Sequence, residues 1–154
     1  GDRVLVYMPL SPEVVIAMRA CARLGAVHAV VFGGFGAREV ATRIDDTEPR
    51  LILAASCGLE PGRVVEYLPL LNQALALCSH RPEACLVLQR PQAPAALTPG
   101  RDLDWQQTVP GSPHAACVPV DANHPLYVLH TSGTTGKPKG IVRDTAGYLV
   151  ALRY

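Results

Sequence analysis

No stretch of this chain supplies the roughly 20 consecutive apolar residues that a membrane helix needs. The longest candidate, Leu24 to Phe35, is interrupted by His28 and by glycines and reads as a strand ending in a turn, so membrane insertion is not expected. Charge of one sign is also missing. The 14 Lys+Arg against 13 Asp+Glu leave a formal net charge of +1, with neither the basic footprint of a nucleic-acid binder nor an acidic tail. The cysteines lack pattern. Cys21, Cys57, Cys78, Cys85 and Cys117 show no Cys-x-x-Cys spacing, and His28, His80, His114, His124 and His130 do not cluster with them, which speaks against zinc. Such an odd, scattered set suggests reduced, mostly buried thiols in an intracellular compartment. What is present is globular: 154 residues, 49% hydrophobic and 18% charged, enough for one core of ordinary size. The chain does not begin with methionine, opens in a Gly-Asp turn and ends inside an expected helix at Tyr154. It reads as a fragment of a larger protein, so the missing targeting segment carries no information.

Along the chain, short β-rich runs alternate with helical patterns. Val4 to Met8 is a strand ended by Pro9. Ser11 as N-cap, Pro12 at the first helical position and Glu13 in the first turn open a helix, and Gly25 stops it. Its apolar face is Val14, Met18 and Cys21, flanked by Val15 and Ala22. Val27 to Phe32 is a second strand. After the Gly33-Gly34 turn, Ala37, Val40, Ala41 and Ile44 mark a second helix, with Glu39 and Arg43 spaced for an i,i+4 pair. Leu51 to Ala55 is a third strand, Val64 to Cys78 a helix that Pro69 should break or delay, and Cys85 to Leu88 a fourth strand. This rhythm predicts an α/β fold, a mostly parallel sheet with flanking helices and right-handed crossovers. Gln89 to Val120, rich in proline and alanine, predicts a long surface connection with a short helical turn near Asp102 to Gln107, anchored by Trp105. A last helix starts near Asp144 or Thr145. No internal repeat is visible beyond the βα alternation.

The densest chemistry lies at Thr131-Ser132-Gly133-Thr134-Thr135-Gly136-Lys137-Pro138-Lys139-Gly140. Glycines let backbone N–H groups approach an anion, hydroxyls donate to phosphate oxygens, and ammonium groups neutralise their charge. Leu126 to Leu129 reads as a strand entering this loop and Gly140 to Val142 as the way out. The loop lacks the Walker A spacing, and Pro138 pushes Lys137 towards extended geometry, so a flexible clasp is expected in place of a helix N-terminus. With few apolar contacts to pin it, the loop should be exposed and loosely packed. The bland alternative is a solvated Gly/Ser/Thr linker, which seldom combines a strand with a double lysine.

The decapeptide TSGTTGKPKG resembles the signature loop of the adenylate-forming superfamily, which includes acyl-CoA synthetases, firefly luciferase and peptide-synthetase adenylation domains. The run from Gly1 to Ser56, with EPGRVVEYLPLL, PGRDLDW and GIVRDTAGYLVAL, resembles the short-chain acyl-CoA synthetases, and within them the propionyl-CoA synthetases. The likeness extends from Gly1 to Tyr154 and is weakest across Leu86 to Val120. It implies that residues 1–154 form part of an N-terminal AMP-binding (adenylation) domain, without the C-terminal domain. The implied reaction joins a short carboxylate (propionate, with acetate or butyrate as neighbours) to ATP, then passes the acyl group to coenzyme A. Mg²⁺ is implied by the ATP chemistry, although no carboxylate motif here looks like its ligand. The partners are these small molecules, and the implied compartment is the mitochondrial matrix.

By this resemblance Thr131, Ser132, Gly133, Thr134, Thr135, Gly136, Lys137 and Lys139 hold the ATP phosphates, and Lys137 is the catalytic residue that meets charge on departing pyrophosphate. Glu60, Pro61, Gly62 and Arg63, just after the third strand, sit where open α/β sheets place ligands and where the family contacts the nucleotide end of coenzyme A. Phe32, Gly33 and Gly34 border the adenine of coenzyme A in the same way. Taken without the resemblance, the first group is an ordinary turn with a surface arginine, and the second a tight strand-to-helix turn. The chain departs from its relatives at three places. Glu60 stands where acetyl-CoA synthetases have arginine, His130 where many have tyrosine or phenylalanine, and Ala146 where glycine is usual. His130 is expected to be a wall residue and not a base. Two other readings remain: a different adenylating enzyme, against which the EPGR segment speaks, and a non-catalytic nucleotide-binding module left by a truncated synthetase.

Overall fold

The computed structural model describes residues 1–131 and 138–154. Its elements in chain order are β1 (Arg3–Tyr7), α1 (Pro12–Leu24), β2 (Val27–Val30), α2 (Ala37–Thr47), β3 (Leu51–Ala55), β4 (Cys57–Glu60), β5 (Arg63–Glu66), α3 (Tyr67–Leu77), β6 (Ala84–Leu88), β7 (Asp102–Asp104), α4 (Trp105–Thr108), β8 (Pro125–Thr131), β9 (Lys139–Asp144) and α5 (Thr145–Ala151). Seven strands form one sheet in the order β7-β6-β3-β1-β2-β8-β9, and β4 and β5 form a separate hairpin. Every neighbouring pair in the large sheet is parallel except β8 with β9. The expected α/β layer with a mostly parallel sheet is therefore present.

Strand β1 is the centre of the core. Leu5, Val6 and Tyr7 are wholly buried, as are Ile44 of α2, Ile52 of β3 and Leu71 of α3. A strand buried on both faces needs an apolar residue at every position, which is why Val4 to Met8 shows no polar alternation. From β1 the chain steps one way to β2 and then back across β1 to β3. Right-handed crossovers put α1 and α2 on opposite faces for these opposite steps, and α2 packs against α3. Above β1, one connection therefore leads to one face while those from β2 and β3 lead to the other.

The caps explain the helix limits. In α1, Ser11 is extended, Pro12 opens the helix, and Gly25 closes it at φ 66°. The α1 face that reaches the core is Val14, Ala17 and Cys21, while Val15 is exposed. Asp104 accepts from the N–H groups of Gln106 and Gln107, and Asp144 accepts from Gly147 N–H, so α4 and α5 begin one residue after an aspartate.

Several expectations need correction. The predicted helix from Val64 starts at Tyr67, because Val64 and Val65 pair with Leu59 and Gly58 in the hairpin. Of the two effects expected of Pro69, the late start is seen and the break is not: Pro69 is the third helical residue, where the N–H it lacks would have no partner in the helix. Residues 102–104 form an edge strand on β6 and not a helical turn, which begins only at Trp105. The second strand ends at Val30, although Val31 N–H still donates to Val6 at 2.8 Å. The last helix ends at Ala151, before Tyr154. Arg43 does not pair with the Glu39 carboxylate. It donates to the Glu39 backbone carbonyl at 2.7 Å and lies over the Phe35 ring, 4.2 Å from its centre. The connection after β6 is tied down as expected, since Trp105 packs partly buried on the core. Its later part is bound to the end of α1, where Val118 N–H donates to Arg23 O at 2.9 Å and His124 Nε2 meets Gly25 O at 2.9 Å.

At the base of the β8–β9 pair, His130 lies opposite Gly140 and Thr131 opposite Lys139. His130 Nε2 donates to Asp46 Oδ2 of α2 at 2.8 Å, and the imidazole is 3% exposed. His130 thus packs and hydrogen-bonds, as expected of it. Gly140 makes room for the contact. A Cβ there would sit 2.9 Å from both Asp46 Oδ2 and Val128 Cγ1. Gly140→Ala should therefore cost about 1–3 kcal/mol of stability, the range for an overpacked site. Gly111→Ala, with nothing within 4 Å of its added Cβ, should cost less than about 0.5 kcal/mol. Urea unfolding checks this, and equal midpoints for the two variants would contradict it.

The thiols supply a second check. Cys21, Cys57, Cys78 and Cys85 are buried and Cys117 is exposed. Burial pushes the Cys21 thiol up to about 11. Burial, with the Asp102 carboxylate beside it, pushes Cys85 up to about 12. Because the thiolate is the nucleophile, iodoacetamide at pH 8 should label Cys117 first and Cys21 and Cys85 only on unfolding. Labelling of Cys85 at the rate of Cys117, read by peptide mass spectrometry, would refute the burial pattern.

Candidate functional site

Three sequence-predicted segments emerge at the carboxyl edge of the parallel sheet. Phe32 to Gly34 follow β2, the hairpin of β4 and β5 follows β3, and Thr131 ends β8. Ligands of open α/β sheets sit at this edge, where neighbouring strands send their connections to opposite faces.

The hairpin pairs Cys57 with Glu66, Gly58 with Val65, Leu59 with Val64 and Glu60 with Arg63. Its two central turn residues are Pro61 and Gly62, the latter at φ 77°. This is the residue pair a type II turn calls for, with fixed φ first and positive φ second. The turn brings Glu60 and Arg63 side by side. Arg63 donates from Nε at 2.8 Å and from Nη2 at 2.6 Å to the same Glu60 oxygen, Oε2. Arg63 is 70% exposed. In water such a pair is worth at most about 1 kcal/mol, so an arriving phosphate can draw the guanidinium away. Glu60 and Arg63, both expected in one ligand site, thus satisfy each other.

The segment after β2 is built around aromatic rings. Phe32 is exposed and meets Phe35 edge-on, with ring centres 5.7 Å apart. A Cβ on Gly34 would overlap the Phe32 ring as it lies over that glycine. Gly33 faces a different neighbour, Tyr67, and so does Gly58 of the hairpin. The structure thus brings the Phe32–Gly34 turn and the Gly58–Arg63 hairpin together through one side chain. In the sequence Tyr67 carries no motif and reads as an ordinary helix residue.

Two further residues at this edge were missed. Ser56 accepts at Oγ from Arg90 N–H at 2.9 Å, and its carbonyl accepts from Tyr67 N–H at 3.0 Å. Arg90 Nη1 donates to Cys57 O at 3.2 Å. Arg90 thus places a second guanidinium against the hairpin, directly after β6. Its position two residues beyond a strand end was the available signal.

The phosphate clasp is divided. Thr131 and Lys139 are paired across the strands, with Thr131 Oγ1 3.5 Å from Lys139 O. Ser132, Gly133, Thr134, Thr135, Gly136 and Lys137 lie outside the described residues, and so does the expectation that the loop is exposed and loosely packed. Every lysine of the chain, Lys137 and Lys139, falls in this clasp. The described ends of the clasp and the hairpin are rooted at different strands. In the sheet, β8 is three strand spacings from β3, roughly 14 Å at about 4.8 Å per spacing. Two candidate segments are therefore rooted along one edge. Among the described residues, no group of three or more His, Cys, Asp or Glu could hold a metal ion. No residue here is assigned to Mg²⁺.

Comparison with known proteins supplies the family. The model for "AMP-binding enzyme" matches residues 1–154. The chain is 50% identical over 155 residues to acyl-CoA synthetase short-chain family member 3, mitochondrial, of Rattus norvegicus, covering 100% of this chain and 23% of the relative. It is 49% identical over 155 residues to propionate–CoA ligase of Salmonella typhimurium, covering 99% of this chain and 24% of the relative. Among solved structures, acetoacetyl-CoA synthetase from Streptomyces lividans superposes with a TM-score of 0.85 at 30% identity, covering 98% of this chain and 23% of that one. The chain thus spans about a quarter of the length of these proteins. Its loop, its sheet and its full-length match agree: the chain belongs to the AMP-binding enzyme family.

Proposed function

We propose that residues 1–154 are part of the N-terminal adenylation domain of an AMP-forming short-chain acyl-CoA synthetase, with propionate as its carboxylate and acetate and butyrate as poorer ones. The observation that carries this reading is that two cation-bearing segments are rooted along one sheet edge: Thr131 and Lys139, which bracket the expected clasp, and the Arg63 hairpin. One subsite would suit a nucleotide module. Two suit an enzyme that handles ATP and then coenzyme A. The similarity to a propionate–CoA ligase and to short-chain acyl-CoA synthetases supports the substrate class. The rat relative's name places it in mitochondria and the Salmonella protein is bacterial, so the matrix is proposed only for a parent of the first kind.

Adenylation converts a carboxylate into a mixed anhydride whose leaving group, AMP, a thiol can displace. In this reading the chain's own residues act on charge. Lys137, with Lys139, balances the negative charge that grows on pyrophosphate as it departs. Thr131, Ser132, Thr134 and Thr135 donate hydroxyls to phosphate oxygens, and Gly133 and Gly136 let the backbone come close. Arg63, on leaving Glu60, takes a phosphate of coenzyme A with a charge-assisted bond. The exposed Phe32 ring, held over Gly34, offers a face for an adenine.

The two subsites should separate in kinetics on the full-length parent. Arg63→Ala should raise KM for coenzyme A about tenfold and leave ATP–pyrophosphate exchange within about twofold, since one charge-assisted contact is lost from the second substrate only. Lys137→Ala should slow the exchange itself by roughly tenfold or more, about 1.4 kcal/mol on the barrier. If the unmodified parent binds ATP yet forms no acyl-adenylate with acetate, propionate or butyrate, the binding-module reading replaces this one.

A further inference from the structure

We propose that Tyr67 is a positioning residue whose phenol sets the gap between the Phe32–Phe35 turn and the Cys57–Glu66 hairpin, and so fixes the shape of the site for the nucleotide end of coenzyme A. The proposal rests on the coenzyme A reading above.

Tyr67 is the first residue of α3 and is 4% exposed. Its N–H is tied to Ser56 O at 3.0 Å, which sets its backbone against the start of the hairpin. Its ring stacks on Tyr7, with centres 5.0 Å apart and planes 25° apart. Tyr7 in turn donates from Oη to Phe35 O at 3.0 Å. The phenol is thus held from below by the most deeply buried strand of the sheet.

The hydroxyl end of the ring lies between two backbone segments. A Cβ added to Gly33 would overlap Tyr67 Oη and lie 2.6 Å from Cε2. A Cβ added to Gly58 would overlap the same Oη and lie 2.8 Å from Cε1. The two glycines therefore approach opposite edges of one ring. Among the described residues, no backbone hydrogen bond joins residues 32–36 to residues 57–66, so the phenol is the spacer between them. Neither Gly33 nor Gly58 has a positive φ. Space for Tyr67, and not backbone conformation, requires glycine at both. Charged groups flank the spacer, since burial and Glu60 push the phenol pKa up while Arg90 opposes them. The hydroxyl accordingly stays protonated and neutral between the two segments.

A core residue with no role in the site would behave differently, and the full-length parent distinguishes the two. Tyr67→Leu, Tyr67→Phe and Arg63→Ala are compared by KM for coenzyme A in thioester formation and by ATP–pyrophosphate exchange with propionate. Tyr67→Leu should raise KM for coenzyme A about tenfold, with exchange within about twofold. Tyr67→Phe keeps the ring but loses the atom that meets both glycines, and should raise it about threefold. Gly33→Ala alone should be severe, and adding Tyr67→Leu should restore part of the loss, a non-additivity expected only of groups in contact. Exchange and thioester formation falling together in the Tyr67 variants would overturn the proposal, as would an unchanged KM in both. Should Tyr67→Leu not fold, Tyr67→Phe decides on the same criterion. If Arg63→Ala raises KM and the Tyr67 variants do not, only this proposal falls. If Arg63→Ala leaves KM unchanged, the coenzyme A reading falls and takes the proposal with it.

Discussion

The double-sided burial of β1 is the constraint on which the rest depends. The strand is hydrogen-bonded to β2 on one side and β3 on the other, with Leu5, Val6 and Tyr7 sealed from water on both faces. Neither neighbour can be reached by a tight turn, because parallel strands need a crossover. The crossovers must take opposite faces, and the connections then diverge above β1. That divergence opens the edge at which Phe32, Gly58, Arg63 and Arg90 gather. Tyr7 is the last residue of β1, and its ring and hydroxyl transmit the position of the core to Tyr67 and Phe35.

Electrostatics at this edge is arranged for exchange of partners. The Glu60–Arg63 pair joins an exposed arginine to a half-buried glutamate at positions flanking the turn, so its members are aligned by the hairpin whether or not they touch. An arginine at position 60 would leave two cations without a local partner. Here the hairpin carries its own counter-charge, and in the proposed role a phosphate would compete with Glu60 for Arg63. Arg101 shows the opposite arrangement. It is held at 2.6 Å by Asp102, whose side chain is fully buried, and is committed to structure beneath the long connection.

Much of this was legible in the residues. The strand–helix alternation, the Ser11-Pro12 and Gly25 signals of α1, and the aspartate before α5 come from local chemistry, and local chemistry is what a sequence displays directly. The hairpin was not legible, because Cys57 to Glu66 has too little alternation to mark two strands of four residues. Pro69 was legible only in part: the helix does start late, at Tyr67, but the proline is accommodated in its first turn and does not break it. The site was legible in its cations and glycines but not in its spacing. Gly33 and Gly58 are 25 positions apart in the sequence, and only the fold reveals that both make room for one phenol. Tyr67 carries no motif of its own and becomes visible only through what would collide with it.

The central claim is that the clasp and the hairpin are distinct subsites, used by different substrates along one sheet edge. Hydrogen exchange on the full-length parent, with a non-hydrolysable ATP analogue and with coenzyme A added separately, tests it most directly. The account predicts that the nucleotide slows exchange in residues 131–140, and that coenzyme A slows it in residues 32–36 and 57–66 with little effect on the clasp. Protection of both regions by the nucleotide alone, or no protection of the hairpin by coenzyme A, would contradict it.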